Sequence, residues 1–174
     1  TTNVSATTMR GVSMSDANNG VAVGSGGTIV YTSDGGDTWT AASTTNVGTT
    51  RMYAVSMSDA NNGVAVGDTR EIVFTTDGGD TWTDATTNVG VYDMLGVSMS
   101  DANNGVAVGS GGTIVYTSDG GDTWTDATTT NVGGTNMYAV SMSDASNGVA
   151  VGDSGKIVYT SDGGDTWTAA TTTN

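Results

Sequence analysis

The chain has 174 residues and a formal net charge of −14, with only four basic residues and neither histidine nor cysteine. Such an acidic surface repels phosphate backbones and anionic bilayers, so nucleic acid is not expected as a partner. No apolar run approaches the length of a membrane span, and membrane insertion is not expected either. The absence of histidine and cysteine excludes Ser–His–Asp and Cys–His nucleophiles and histidine-bound zinc.

A unit of about 43 residues occurs four times with few changes, and its Ser-Met-Ser-Asp motif begins at Ser13, Ser56, Ser98 and Ser141. Short alternating apolar runs in each copy are separated by Gly-, Asn- and Asp-rich turns, which is typical of short antiparallel strands. The strands predicted in the first copy are Met9–Met14, Val21–Val23, Thr28–Thr32 and Thr38–Thr40. No segment has a helical period, so the sequence predicts an all-β chain.

Four short strands in a repeat of this length are typical of a β-propeller blade. We expect one domain over residues 1–174, with blades at about 4–46, 47–88, 89–131 and 132–174. A closed ring of four blades is the simplest arrangement, because an open array needs polar capping repeats and no copy looks like one. The alternative is that two chains join into a ring of eight blades.

The segment Thr32–Trp39 resembles the Asp-box, Ser/Thr-x-Asp-x-Gly-x-Thr-Trp, of the bacterial neuraminidase repeat. Each whole repeat is similar to those of the photosystem II assembly and stability factor family of Asp-box propellers. The resemblance implies that the box is a structural hairpin at the blade periphery, with its tryptophan packed into the sheet. The residues expected to have this role are Asp34, Gly36, Trp39, Asp77, Gly79, Trp82, Asp119, Gly121, Trp124, Asp162, Gly164 and Trp167.

Enzymatic activity is not expected from the residues available. Sialidases use three arginines with tyrosine and glutamate partners, whereas the arginines here are only Arg10, Arg51 and Arg70 and the one glutamate is Glu71. A glycosidase needs one pair of carboxyl groups with different pKa values, and an Asp pair repeated in four equivalent turns does not provide one.

Three further features are candidates for binding. Asp16 and Asn18 offer oxygen ligands for calcium, but their spacing is shorter than a calcium loop, so we interpret the segment as a solvated turn and expect no cofactor. The eight methionines recur at strand positions, which favours core packing over metal ligation. Tyr53 and Tyr138 alternate between copies and could line a binding face at one end of the ring, although blade packing explains them equally well.

The leading functional hypothesis is a non-enzymatic structural or interaction propeller that self-associates into filaments or larger particles through its repeated surfaces. The Thr-, Ser-, Asn- and Asp-rich loops and the scarcity of lysine favour an extracellular or cell-surface location. The first alternative is a module that binds a glycan or a protein. The resemblance implies a protein client bound through a basic face, which this sequence lacks. The second alternative is an engineered or reconstructed repeat protein that has no function beyond folding.

Overall fold

A computed structural model describes residues 7–43, 47–86 and 92–171. Within these residues, sixteen strands form four antiparallel sheets of four strands, and every sheet is contiguous in sequence. The predicted all-β fold with four four-stranded blades is therefore confirmed. The predicted blade boundaries at residues 4, 46, 88, 89 and 174 lie outside the described residues.

The strands of each blade follow one another in space in their order along the chain. Blade 1 contains β1 (Met9–Met14), β2 (Gly20–Gly24), β3 (Ile29–Thr32) and β4 (Thr40–Ala41). Blade 2 contains β5 (Met52–Met57), β6 (Gly63–Gly67), β7 (Ile72–Thr75) and β8 (Thr83–Asp84). Blade 3 contains β9 (Met94–Met99), β10 (Gly105–Gly109), β11 (Ile114–Thr117) and β12 (Thr125–Asp126). Blade 4 contains β13 (Met137–Met142), β14 (Gly148–Gly152), β15 (Ile157–Thr160) and β16 (Thr168–Ala169).

In blades 1 to 3, the second strand is the most buried element. In β6, all five residues of the Gly-Val-Ala-Val-Gly segment are buried. Because strand side chains alternate between faces, Val64 and Val66 cover one side of the sheet and Ala65 the other. Both faces are packed against neighbouring blades, which explains why the strand has no polar residue.

The core lies between the blades. Each of its three clusters joins two consecutive blades, and in the first cluster Val21 and Val23 of blade 1 pack with Met52, Met57 and Trp82 of blade 2. The inner strands β1, β5, β9 and β13 pack side by side in that order. A single blade thus has little core of its own and depends on its neighbours.

The four blades form an open arc. Val12 of blade 1 is 65% exposed and Val149 of blade 4 is 45% exposed, whereas their equivalents between blades, Val55 and Val21, are 8% and 0% exposed. The prediction that four blades close on themselves is therefore not met by the single chain. Methionine and tryptophan side chains fill each of the interfaces between described blades, and this packing leaves the outer sides of blades 1 and 4 uncovered.

The fourth strand also differs from the prediction. The sequence predicts it at Thr38–Thr40, but β4 covers Thr40–Ala41. The backbone N–H of Thr38 donates to the Asp34 carboxylate at 2.9 Å, so this residue belongs to the preceding turn. Within the described residues, no helix is long and apolar enough to cross a membrane.

Candidate functional site

Each Asp-box forms a hydrogen-bonded turn between the third and fourth strands of its blade. In blade 1, the Thr32 hydroxyl donates to Oδ1 of Asp34 at 2.7 Å and accepts the N–H of Gly36 at 3.0 Å. The Thr38 hydroxyl donates to the other carboxylate oxygen at 2.6 Å. The same contacts recur in the other three blades around Asp77, Asp119 and Asp162.

These hydrogen bonds favour the ionised carboxylate. The pKa of Asp34 is lowered to about 2, first by the hydroxyl of Thr38 and then by the Thr38 N–H and the Thr32 hydroxyl. An aspartate held ionised by donors within its own turn is poorly suited to act as a general acid near neutral pH.

The Asp16 turn, the candidate for calcium, satisfies its carboxylate in a similar way. Oδ1 of Asp16 accepts the N–H groups of Asn18 and Asn19 at 2.7 and 2.9 Å, and Oδ2 accepts the Asn19 amide. Among the described residues, no group of three or more acidic side chains is arranged to hold a metal ion.

The four Asp-box tryptophans differ in burial. Trp82, Trp124 and Trp167 are 3%, 6% and 2% exposed, and their ring N–H groups donate to the carbonyl groups of Gly79, Gly121 and Gly164. The ring N–H of Trp39 makes the same bond to Gly36 at 3.1 Å, but this side chain is only half-buried. It lies on the uncovered side of blade 1.

The two ends of the strands present faces of very different charge. We call the Asp-box face the one formed by the turns between first and second strands and between third and fourth strands. It carries twelve of the eighteen acidic residues and none of the four basic ones. The opposite linker face is formed by the 3₁₀ turns between second and third strands and by the chain that joins the blades. It carries the other six acidic residues and all four basic residues, Arg10, Arg51, Arg70 and Lys156.

The linker face contains a compact Arg–Tyr cluster between blades 1 and 2. The guanidinium of Arg10 lies 5.5 Å from the ring centroid of Tyr53, within the range of a cation–π contact. Nη1 of Arg51 donates to the Tyr53 hydroxyl at 3.3 Å and lies 3.4 Å from the Asp68 carboxylate. The Tyr53 hydroxyl and the Asp68 charge both raise the pKa of Arg51. We refer to Arg10, Arg51 and Tyr53 as the Arg–Tyr cluster.

A register irregularity in the inner strands positions this cluster. In blade 1, Met9 pairs with Gly24 and Gly11 with Val23, which leaves Arg10 unmatched in the ladder. Blade 2 has the same irregularity between Met52 and Ala54, at Tyr53. Such bulges redirect a side chain, so one sequence position supplies a row of projecting residues around the inner strands.

The two tyrosines predicted to form a binding face both lie on the linker face, but two blades apart. Tyr53 is half-buried in β5, and Tyr138 in β13 is 51% exposed and donates to Asp153 at 2.9 Å. The inner strand β9 lies between them, with Leu95 at the equivalent position. The structure therefore groups Tyr53 with two arginines and leaves Tyr138 in a separate environment.

A shallow groove opens between the 3₁₀ turn and the outer strand of blade 3. Its volume is about 320 Å³, and it is lined by Tyr92, residues 111–114 and residues 126, 127 and 129. Blade 2 has an equivalent groove of about 180 Å³, where Asp84 lies near Glu71. Burial and the charge of Asp84 raise the pKa of Glu71. The sequence does not indicate Arg51 and Asp68 as a site, because they meet only when the segment before β5 packs against the 3₁₀ turn after β6. Tyr92 lies beside Gly111 in blade 3 for a similar reason, since the two are distant in sequence.

The propeller architecture is shared with known proteins. The chain aligns over 97% of its length with YCF48 bound to D1 peptide, at 24% identity and a TM-score of 0.74, and covers 54% of that chain. It aligns equally completely with YCF48 from Cyanidioschyzon merolae, at 24% identity and a TM-score of 0.71, and covers 58% of that chain. A GH74 enzyme of Niastella koreensis matches 92% of the chain at 22% identity and a TM-score of 0.65, over 24% of the enzyme.

The chain thus spans little more than half of the YCF48 chains that it matches. No curated protein sequence matches it. The sequence model of the photosynthesis system II assembly factor YCF48 family matches residues 2–88 and again residues 82–159. These two matches cover most of the four repeats, and the chain belongs to the YCF48-like family of Asp-box propellers.

Proposed function

We propose that this chain is a non-catalytic propeller that binds an extended protein segment on its linker face. The observation that carries the proposal is the grouping of all four basic side chains and the Arg–Tyr cluster on that face. On the Asp-box face, by contrast, the first aspartate of each box is already hydrogen-bonded within its own turn.

A relative with the same architecture supports a protein partner. One YCF48 structure that matches this chain was determined with a bound D1 peptide. We infer that the present chain uses its linker face for a segment of similar kind, extended and short enough to lie across two blades.

The Arg–Tyr cluster supplies the chemistry for a carboxylate on that segment. Arg10 is exposed, and its Nε donates to Ser25 at 3.3 Å, which leaves the other nitrogens of its guanidinium for a ligand. The Tyr53 ring beside it offers an apolar surface for a side chain of the same segment. A side-chain carboxylate or a C-terminal carboxylate fits this pair.

The charge of the face sets the expected strength of binding. With six acidic and four basic residues, the linker face is weakly negative rather than basic. Long-range attraction therefore contributes little, and recognition depends on the local pairing at Arg10 and Arg51. We expect a modest affinity that changes little with salt.

The absence of catalysis is part of the proposal. Members of the family are named as assembly factors, whereas the GH74 enzyme shows that the same fold also supports catalysis. Glycoside hydrolysis needs a carboxylic acid with a raised pKa. The pKa of the first aspartate is lowered in all four Asp-boxes: burial acts to raise it, but the hydrogen bonds from the turn outweigh burial.

Binding of the fluorescein-labelled D1 peptide tests the proposal, with fluorescence polarisation as the measurement and an amidated peptide as a comparison. We expect Arg10→Gln to weaken binding by about tenfold, which corresponds to about 1.4 kcal/mol. The matched control is Lys156→Gln, which removes the same charge from the same face in blade 4 and is expected to change affinity by less than about twofold. Equal losses in the two variants would refute binding at the Arg–Tyr cluster.

Three other hypotheses stay predictions. A glycan ligand would require stacking on exposed aromatic rings, and binding to a glycan array that is lost in a Tyr53→Ala, Tyr138→Ala double variant would support it. The extracellular location rests on composition alone and is a proposal that fractionation of the source cells would test. Filament formation has no support from the relatives and would be visible in negative-stain images.

A further inference from the structure

The two ends of the arc are apolar faces that are buried everywhere else in the molecule. We call the leading face the side of blade 1 that carries Met9, Val12, Met14 and Trp39. The first three are 37%, 65% and 44% exposed, whereas Met52, Val55 and Met57 at the same positions of blade 2 are 0%, 8% and 9% exposed. The leading face of blade 1 therefore has the same residue types as the surfaces that a neighbouring blade covers at the internal interfaces.

The opposite end of the arc also has an uncovered apolar face. We call the trailing face the side of blade 4 that carries Val149, Val151, Ile157 and Tyr159, which are 45%, 40%, 38% and 45% exposed. The equivalents in blade 1, Val21, Val23 and Ile29, are 0%, 0% and 3% exposed because they pack against blade 2. The trailing face therefore has the residues that receive a leading face.

An empty groove marks the place where a neighbour would insert. It has a volume of about 400 Å³ and is lined by Ser141, Gly148, Val149, Tyr159 and their neighbours in blade 4. At the corresponding place between blades 1 and 2, Met57 is buried in the cluster that also contains Val21 and Tyr31. Met14 of a second leading face has the same side chain and the same position in the repeat as Met57.

One hydrogen bond recurs between the inner strands of consecutive blades, and its two groups are also present at the ends of the arc. Ser13, Ser56 and Ser98 each accept, at 3.0 Å, the backbone N–H of a methionine in the next blade. The fourth serine of this kind is Ser141 at the trailing end, whose hydroxyl is the equivalent acceptor. The fourth methionine is Met14 at the leading end, whose N–H is the equivalent donor. Within the described residues, no partner is present for either of them.

The outer edge gives a second, independent series. The N–H groups of Ser43, Thr86 and Thr128 donate to the carbonyl groups of Asp80, Asp122 and Asp165 in the following blade, at 2.7 to 2.8 Å. Tyr31 and Tyr116 also donate to the carboxylates of Asp80 and Asp165. By position in the repeat, Thr171 and Tyr159 at the trailing end are equivalent to these donors. Asp37 at the leading end is equivalent to the aspartates that accept from them.

We propose that the trailing face of one chain packs against the leading face of a second copy, and that the reciprocal contact closes a ring of eight blades. A second copy is the occupant that supplies every complementary group named above, in the order found at the three internal interfaces. A contact between different faces closes a ring or continues as a polymer. Two copies together supply eight blades, which lies within the range of about four to eight blades found in closed propellers.

Charge determines the conditions for pairing. Each copy carries a net charge of −14, so two copies repel each other although the leading and trailing faces are largely apolar. Salt screens this repulsion, and we expect the dimer to tighten as the salt concentration rises.

Light scattering after size-exclusion chromatography of the 174-residue chain tests the proposal in 0.15 M and 1 M NaCl. The expected mass is twice 17.3 kDa. Val12→Glu and Val149→Glu are each expected to give monomers, because each blocks one face of every chain. Circular dichroism checks that both variants fold, as both positions are solvent-exposed in the single chain.

A mixture of the two variants is the sharper test. The Val12→Glu chain keeps an intact trailing face and the Val149→Glu chain an intact leading face, so an equimolar mixture is expected to form a dimer through one interface while each variant alone does not. A wild-type monomer in 1 M NaCl would overturn the proposal and mean that another protein segment covers these faces. Long polymers would overturn closure by two copies.

Discussion

The buried threonine of the Asp-box gives the sharpest stability prediction, and blade 3 is the place to test it because both of its sides are covered. Thr117 is 3% exposed. Its hydroxyl donates to Asp119 at 2.9 Å and accepts the N–H of Gly121 at 3.1 Å. Thr117→Val removes the hydroxyl and keeps the shape of the side chain.

The expected loss of stability comes from the hydrogen-bonding group that Thr117→Val leaves without a partner. The N–H of the buried Gly121 loses its acceptor, which costs about 1 to 3 kcal/mol. The added methyl group returns less than about 1 kcal/mol through apolar burial. We therefore expect Thr117→Val to lower the free energy of unfolding by about 2 kcal/mol.

Thr123→Val is the matched control, because Thr123 donates its hydroxyl to the other oxygen of the same carboxylate but is exposed. Water replaces the lost donor there, and the expected cost is below about 1 kcal/mol. For a chain of this length, 2 kcal/mol corresponds to a decrease in Tm of about 4 to 8 °C.

Thermal and urea unfolding of the two variants and the wild type, followed by circular dichroism at one matched protein concentration, provides the comparison. The reasoning is refuted if Thr117→Val is as stable as the wild type. It is also refuted if Thr123→Val loses as much stability, because the cost would then not depend on burial.

Acid should destabilise the protein below about pH 4. The pKa values of Asp34 (to about 2), Asp16, Asp101 and Asp144 are lowered in the fold, so these carboxylates stabilise the folded state above their unfolded pKa near 3.9. That stabilisation is lost as the pH falls through the folded pKa values. A Tm measured in 1 M NaCl that stays constant from pH 5 to pH 2 would contradict this. Thr69→Asn should raise Tm by about 1 to 4 °C, because Thr69 is β-branched and has a φ of 53°, whereas asparagine tolerates the left-handed region. A lower Tm for Thr69→Asn would show that other contacts hold this turn.

The sequence predicts the parts of this fold that are local. The alternation around Val21 and Val23 and the glycine-rich turns on either side are sufficient to place β2 and β3 within one residue. The end of the Asp-box turn is less predictable, since Thr38 has strand propensity but its N–H is bound by Asp34.

The arrangement of the blades depends on packing between distant segments, which a single repeat does not reveal. Nothing local to Val12 or Val149 distinguishes these residues from their buried equivalents, because the residue types are the same. The Arg–Tyr cluster is hidden for the same reason: Arg10 lies 43 positions before Tyr53 and meets it only when two blades pack.

The near-identity of the three internal interfaces has a consequence for how such chains change during evolution. Recombination between repeats adds or removes one whole period, and the new junction pairs the same residue types as the old ones. A gene that gained a fifth copy would encode one more Met57-like contact and one more serine-to-methionine hydrogen bond, with the same leading and trailing faces at its ends. The number of blades per polypeptide can therefore change in a single genetic event, without any interface having to be redesigned.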